Sequence, residues 1–138
     1  LAVTIHSMNP VVHFEMPYED KKRAAEFYQK TFGWRAQMLG PEMGEYVVVH
    51  TAETDANGML KEPGRINGGL YKKPEDKTGQ APSVVISVPD INAAMEKINQ
   101  GGGKVLGEPM DIPGIGMYVS FLDTEGNRVS ILEPSPQM

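Results

Sequence analysis

The chain presents the same order of structural signals twice, and this repetition constrains its fold more than any other feature. In each half a strand-like apolar segment leads into an amphipathic helix, and glycine follows the helix directly. The helices are predicted at Lys21–Phe32, ended by Gly33, and at Ile91–Gln100, ended by residues 101–103. Either half alone would leave one face of a small sheet bare, so the two halves are expected to share one sheet.

Segments with strand character surround both helices and complete a pattern of βαβββ in each half. Strands are predicted at residues 11–17, 34–39, 45–51, 66–72, 83–88, 104–106, 116–122 and 128–132. The expected fold class is α+β, with two βαβββ modules forming a curled mixed sheet and both helices on its outer face. The domain should span residues 9–134, with module one at about 9–73, a charged linker at 74–82 and module two at about 83–134. Residues 111–117 are expected to form a turn, with a mobile lid as the alternative.

Composition excludes several classes of function. The 138 residues include 13 Lys and Arg against 18 Asp and Glu, a net charge of −5, without a basic cluster that would bind nucleic acid. Absence of cysteine removes disulfides, thiolate nucleophiles and cysteine-based metal sites. No apolar run reaches the roughly 20 residues that span a bilayer. The first seven residues, which include His6, are too few and too polar for a signal peptide, so a cytoplasmic protein is expected.

Alternation along the strands divides their side chains between two faces of the sheet. In the first strand Val12, Phe14 and Met16 share one face, and His13 and Glu15 lie on the other. The uniformly apolar face is expected to pack under the helices. The opposite face mixes histidine, glutamate, serine, tyrosine and arginine with aliphatic residues. That composition is typical of a ligand cleft, and equally of a sheet face wetted by solvent.

Several short motifs resemble the glyoxalase/bleomycin-resistance/extradiol-dioxygenase superfamily, also called vicinal oxygen chelate proteins. They are His13-Phe14-Glu15-Met16-Pro17, Ala24-Ala25-Glu26-Phe27-Tyr28, Phe32-Gly33-Trp34, Val88-Pro89-Asp90-Ile91, Gly102-Gly103-Lys104-Val105, the segment FLDTEGNR at 121–128 and Leu132-Glu133-Pro134. The resemblance covers about residues 9–134. It implies βαβββ modules curled around a cavity and frequent homodimers, and it leaves the reaction open because this fold hosts lyases, isomerases, dioxygenases and binders.

The family's enzymes usually hold a divalent metal through one inward side chain on each of four strands. Carried over by the resemblance, these positions fall on His13, on Gly68 or Gly69, on Ser83 and on Ser130. A single imidazole with neutral hydroxyls is a poor ligand set for zinc, manganese or iron. No metal and no other cofactor are therefore expected. Glu133 does not replace the missing ligand, because its odd spacing from Ser130 points it to the opposite face.

His13 is the expected catalytic residue, as an acid or base beside Glu15, with a vestigial hydrogen-bonded histidine as the alternative. Glu15 is expected to pair with Arg128, to act as a base or to remain solvated. By the resemblance, Tyr118 and Ser120 occupy substrate-contacting positions. The ligand-binding set is Glu15, Ser83, Tyr118, Ser120, Arg128 and Ser130. Tyr46 and Tyr71 are expected to have ordinary packing roles, with aromatic walls of the cleft as the alternative, and His6 and His50 to have packing or surface roles.

The leading hypothesis is a metal-free protein that binds a small organic molecule in its cleft and either sequesters or rearranges it. The protein is expected to form a homodimer and to have no nucleic-acid or membrane partner. Whether it is an enzyme stays open. One alternative is a metal-dependent lyase or dioxygenase whose ligands come from other positions. The other is a non-catalytic structural or partner-binding module with an empty cleft.

Overall fold

A computed structural model describes residues 8–136, which form eight strands and two α-helices. In chain order these are β1 (Val11–Tyr18), α1 (Lys21–Phe32), β2 (Arg35–Met38), β3 (Val47–His50), β4 (Asn67–Lys72), β5 (Ser83–Ser87), α2 (Ile91–Gln100), β6 (Lys104–Ile112), β7 (Gly116–Leu122) and β8 (Arg128–Pro134). Single 3₁₀ turns occur at Pro41–Met43 and Lys77–Gly79. Both helices have the bounds that the sequence predicts.

Local chemistry explains where the helices begin and end. The Asp20 carboxylate accepts a hydrogen bond from the Arg23 amide at 3.0 Å and caps α1. Gly33 then ends α1 with a left-handed φ of 73°, which glycine adopts without steric cost. Helix α2 is capped by Asp90, and the Glu133 carboxylate accepts from the Ile91 amide at 2.9 Å. Glu133 therefore lies on the helix side of the sheet, as its spacing predicts.

All eight strands belong to one sheet, in the order β2-β3-β4-β1-β5-β8-β7-β6. Strand β1 pairs in parallel with β4 and antiparallel with β5, and β5 pairs in parallel with β8. The β1–β5 pair joins two four-stranded halves of matching order. This curled mixed sheet, with two helices on one face, confirms the predicted α+β fold.

Two hydrophobic clusters lie under the two helices. The first contains Tyr18, Val47, Val49 and Leu70, with Phe14, Met16, Ala24, Trp34 and Ala36 packed against them. The second contains Val88, Ile91, Val119, Phe121 and Ile131, with flanking side chains from α2 and its neighbouring strands. The apolar strand faces thus pack as alternation predicts. Val12 and Val84 remain 37% and 36% exposed, because they flank the β1–β5 junction, between the two clusters that the helices cover.

One sequence expectation and one alternative differ from the structure. Strand β6 runs to Ile112, well past residue 106, because its pairing with β7 resumes at Met110 after a register shift that takes up Gly107 and Pro109. Residues 111–117 are the strand ends and tight turn of the β6–β7 hairpin, closed by the Ile115 amide on the Ile112 carbonyl at 2.9 Å, so the lid alternative is not supported. The first seven residues and His6 lie outside the described part of the chain. Within residues 8–136, no helix is both long enough and apolar enough to cross a membrane.

Candidate functional site

A buried carboxylate lies at the centre of the sheet face opposite the helices, which we call the concave face. Glu15 on β1 is only 8% exposed. Its Oε1 accepts a hydrogen bond from the Tyr118 hydroxyl at 2.6 Å, and its Oε2 accepts one from the Tyr46 hydroxyl at 2.9 Å. On a flat sheet, Tyr118 on β7 would lie about 14 Å from β1, three strand spacings away. The two side chains meet because the sheet curls.

Two serines extend this contact into β8 and β7. The Ser130 Oγ lies 2.8 Å from both the Tyr118 hydroxyl and the Ser120 Oγ. Since the single hydroxyl hydrogen of Tyr118 goes to Glu15, Ser130 must donate to Tyr118, and Ser120 then donates to Ser130. The hydrogen bonds therefore run in one direction, from Ser120 towards the Glu15 charge. We call Glu15 with Tyr46, Tyr118, Ser120 and Ser130 the hydroxyl network.

His13 contacts the hydroxyl network from the next inward position of β1. Its Nε2 lies 3.2 Å from the Tyr46 hydroxyl oxygen. Because the Tyr46 hydrogen is given to Glu15, the His13 Nε2 acts as the donor in this contact. Burial lowers the pKa of His13 below its ordinary value, and the negative charge of Glu15 opposes that shift only in part. His13 is therefore a neutral imidazole at pH 7, with Nε2 protonated and Nδ1 as its acceptor.

Tyr46 takes its position from its neighbours on both sides. It precedes β3 and reaches Glu15 by crossing Gly69 of β4, where a Cβ atom would lie 1.7 Å from the Tyr46 hydroxyl oxygen. Glu45, in the left-handed region with φ 59°, is held by Lys21 through a 2.6 Å ion pair and by the Tyr18 hydroxyl on its carbonyl. The sequence interpretation gave Tyr46 a packing role and missed this contact. Alternation with Val48 and His50 was the signal that could have found it.

Both tyrosines are held as hydrogen-bond donors. Burial, followed by the negative charge of Glu15 and the hydrogen bond to it, raises the pKa of Tyr46 far above its ordinary value of 10.0. The same causes raise the pKa of Tyr118, and the serine hydrogen bonds offset them only partly. Neither phenol ionises near neutral pH, so each keeps its hydrogen on Glu15.

The remaining candidates make no hydrogen bond to the hydroxyl network among the contacts described. Arg128 contacts Asp76 at 3.4 Å and the Thr78 hydroxyl at 3.2 Å. Its expected pairing with Glu15 is wrong, and so is the expectation of a solvated carboxylate, because Glu15 is buried and each of its carboxylate oxygens accepts from a half-buried phenol. Tyr71 donates to the Gly79 carbonyl at 2.8 Å, so Arg128 and Tyr71 together hold the segment at 73–82 against one end of the concave face. Ser83 lies opposite Glu15 in the β1–β5 register and is half-buried.

The donor set of the concave face does not fit the divalent metal that the resemblance implies. Glu15 already accepts two phenolic hydrogens, and Ser130 is engaged with Tyr118 and Ser120. His13 is the single imidazole beside them. Across residues 8–136, no group of three His, Asp or Glu side chains is arranged to hold a metal ion. The expected lack of a metal stays a prediction.

Comparison with known proteins places this geometry in a family. The family model described as "Glyoxalase/Bleomycin resistance protein/Dioxygenase superfamily" matches residues 11–131. A glyoxylase-like domain-containing protein of Didymella fabae is 32% identical over 120 residues, covering 85% of this chain and 88% of that protein. The putative glyoxylase CFP32 of Mycobacterium bovis is 34% identical over 137 residues, covering 99% of this chain. The chain spans 48% of that relative's length.

Solved structures support the same assignment at the level of the fold. A variant of Streptomyces coelicolor methylmalonyl-CoA epimerase, in complex with 2-nitronate-propionyl-CoA, superposes with a TM-score of 0.67 at 18% identity, covering 94% of this chain and all of that one. The hypothetical protein BH1468 of Bacillus halodurans gives a TM-score of 0.68 at 15% identity, covering 96% of this chain and 99% of that one. With the family model matching most of its length, the chain belongs to the glyoxalase/bleomycin resistance protein/dioxygenase superfamily.

Proposed function

We propose that this protein binds a small organic molecule on its concave face, at the hydroxyl network and without a metal ion. The supporting observation is the network itself. A buried carboxylate without a cationic partner costs free energy, and an apolar residue at the centre of the sheet would avoid that cost. A polar network kept at this position is therefore better explained by recognition of a ligand than by folding.

The relatives support small-molecule recognition in general terms. Two of the epimerase structures of this fold are complexes with coenzyme A esters, and one related protein, at 27% identity, is an anthracycline biosynthesis protein of Streptomyces peucetius. In the proposal this chain also binds a small molecule, and its ligand is chosen by its own side chains.

The geometry favours holding a ligand over transferring a proton. His13 donates Nε2–H to Tyr46, and this leaves Nδ1 as its acceptor. The phenols have raised pKa values and are poor acids at neutral pH. His13 thus serves as a neutral hydrogen-bonding group in the proposal. Sequestration is preferred over rearrangement, and a homodimer in the cytoplasm remains the expected setting.

A thermal-shift screen of the purified protein tests this function. Small acids, amines, aromatic compounds and thiol conjugates are compared on wild type, Tyr46→Phe and Glu96→Gln, an exposed position on the outer side of α2. A ligand at about 100-fold its dissociation constant adds about 2.7 kcal/mol to stability. The shift should weaken in Tyr46→Phe and persist in Glu96→Gln. A binder unaffected by Tyr46→Phe, or no binder at all, would argue against the proposal and favour a structural module.

Elemental analysis of the same protein separates the metal-dependent alternative. A stoichiometric transition metal that is lost on His13→Ala would replace the proposed function with a metal-dependent lyase or dioxygenase. Metal below one-tenth of the protein concentration would support the proposal. Sedimentation analysis tests the expected homodimer independently of either result.

A further inference from the structure

The charge of Glu15 has no cationic counterpart in the described part of the chain. The ion pairs within residues 8–136 join Lys21 to Glu45, Lys61 to Glu53, Arg65 to Glu62, Lys73 to Glu19 and Arg128 to Asp76. None involves Glu15. Arg128 is the cation on the inward side of β8, and it contacts Asp76 and Thr78 instead. The Glu15 carboxylate is stabilised only by neutral phenols.

Neutral donors leave this charge incompletely compensated. An ionised carboxylate offers about four lone-pair sites, and the two tyrosines occupy two of them. The field of Glu15 extends across the site: after burial, its charge is the largest influence raising the pKa of Tyr46, Tyr71 and Tyr118. Glu15 as a whole keeps 8% of its surface accessible.

The surroundings of Glu15 favour a positively charged partner over an anionic one. The hydroxyls of Tyr46 and Tyr118 donate their hydrogens to Glu15 and accept from His13 and Ser130, so neither has a hydrogen left for an anionic ligand. An anionic ligand would face Glu15 without a cation to offset the repulsion, and a neutral acceptor would find few free donors.

We propose that the ligand of this site is an organic cation, a protonated amine on an apolar body, whose ammonium group binds at Glu15 between Tyr46 and Tyr118. This inference rests on the proposed function and names its ligand class. The ammonium donates to the free lone pairs of Glu15, and the apolar body lies along the concave face. The same charge disfavours carboxylates.

Matched probes of equal shape and different charge test the proposal by isothermal titration calorimetry at pH 7. Phenethylamine and tryptamine are compared with their neutral alcohols, 2-phenylethanol and tryptophol, and with the anion phenylacetate. Both probes can donate to the charged carboxylate, but only the ammonium adds the attraction of an ion pair, so the amines should bind about fivefold more tightly than the alcohols, about 1 kcal/mol. Phenylacetate should bind more weakly than both.

Variants separate the local charge from the net acidity of the protein. Glu15→Gln should reduce the amine-to-alcohol ratio to near one, with retained folding checked by circular dichroism. Glu15→Asp keeps the negative charge at this position, so it should retain a preference for amines and still reports the effect of the charge if Glu15→Gln fails to fold. Glu96→Gln removes one exposed carboxylate on α2 and should leave the ratio unchanged.

The outcomes distinguish this inference from the proposed function. Equal binding of amines and alcohols by the wild type, an amine preference that survives Glu15→Gln, or loss of the preference in a folded Glu15→Asp protein would overturn the inference. Tighter binding of phenylacetate, lost in Tyr46→Phe, would overturn the inference and leave the proposed function standing. If no compound of any charge binds, both fail.

Discussion

Replacing Gly69 by alanine should dislodge Tyr46 from Glu15. The new Cβ would lie 1.7 Å from the Tyr46 hydroxyl oxygen and 2.0 Å from Cζ, and the three nearest atoms all belong to that side chain. Tyr46 must rotate away, because the alternative is to displace strand β4 between β1 and β3. Its 2.9 Å hydrogen bond to Glu15 and its 3.2 Å contact with His13 are then both lost.

The expected cost follows from these contacts. A hydrogen bond to a charged group contributes about 1.5–3 kcal/mol. Alanine in a strand recovers about 0.5–1 kcal/mol over glycine, because the unfolded chain is less free. Gly69→Ala should therefore lower the free energy of unfolding by about 1–2 kcal/mol, a fall in Tm of about 3–8 °C for a domain of this size.

Urea denaturation of a double-mutant cycle checks the cause. Once Tyr46→Ala has emptied the space, Gly69→Ala should cost nothing or stabilise slightly, giving a coupling energy of about 1–2 kcal/mol. Gly68→Ala is the matched control on the other face of β4, where the Cβ would lie 2.4 Å from the Phe14 ring. Its cost should be the same with or without Tyr46. An undiminished Gly69→Ala penalty in the Tyr46→Ala background would refute the reasoning.

Three further measurements test other parts of the structure. Because burial lowers the pKa of His13, the unfolded chain takes up a proton near pH 6.5 before the native protein does. The free energy of unfolding should therefore fall as the pH drops from about 6.5 towards 5, and it should fall less steeply in His13→Gln. An identical slope in both proteins would contradict this. Since the pKa values of Tyr46 and Tyr118 are raised, the free energy of unfolding should fall above about pH 10. Tyrosinate absorbance should show fewer than all five tyrosines ionising before the protein unfolds. Ionisation of all five in the native protein would count against the burial of Tyr46 and Tyr118. Glu133→Ala removes the acceptor of the Ile91 amide at the start of α2 and should lower the free energy of unfolding by about 0.5–2 kcal/mol, measured by thermal denaturation. A loss under about 0.3 kcal/mol would contradict this role of Glu133.

The fold could be predicted almost completely from local signals. Asp20 and Gly33 mark both ends of α1, and period-two alternation places Phe14 and Met16 under the helices. The predicted sixth strand ends at residue 106, because Gly107 and Pro109 are poor strand residues. Only its pairing with β7 shows that β6 continues beyond the register shift.

The candidate site was less predictable because its contacts are long-range. Alternation puts Glu15, Tyr118, Ser120 and Ser130 on one face, but the Tyr118–Glu15 contact joins residues 103 positions apart and exists only because the sheet curls. The pairing of Arg128 with Glu15 was wrong for the same reason, since the segment at 73–82 brings Asp76 and Thr78 within its reach. The assignment of His13 as catalytic and of the ligand-binding set remains a prediction.

The hydrogen bond between Tyr118 and Glu15 joins the two four-stranded halves of the sheet, which otherwise meet along the strand pair β1–β5 and at the segment at 73–82. Each half supplies part of the network: His13, Glu15 and Tyr46 come from one, and Tyr118 with its serines from the other. A molecule bound between the two halves would link them across the β1–β5 pair. Binding of that molecule should suppress opening of the sheet between β1 and β5, so slower amide exchange in these two strands would report binding.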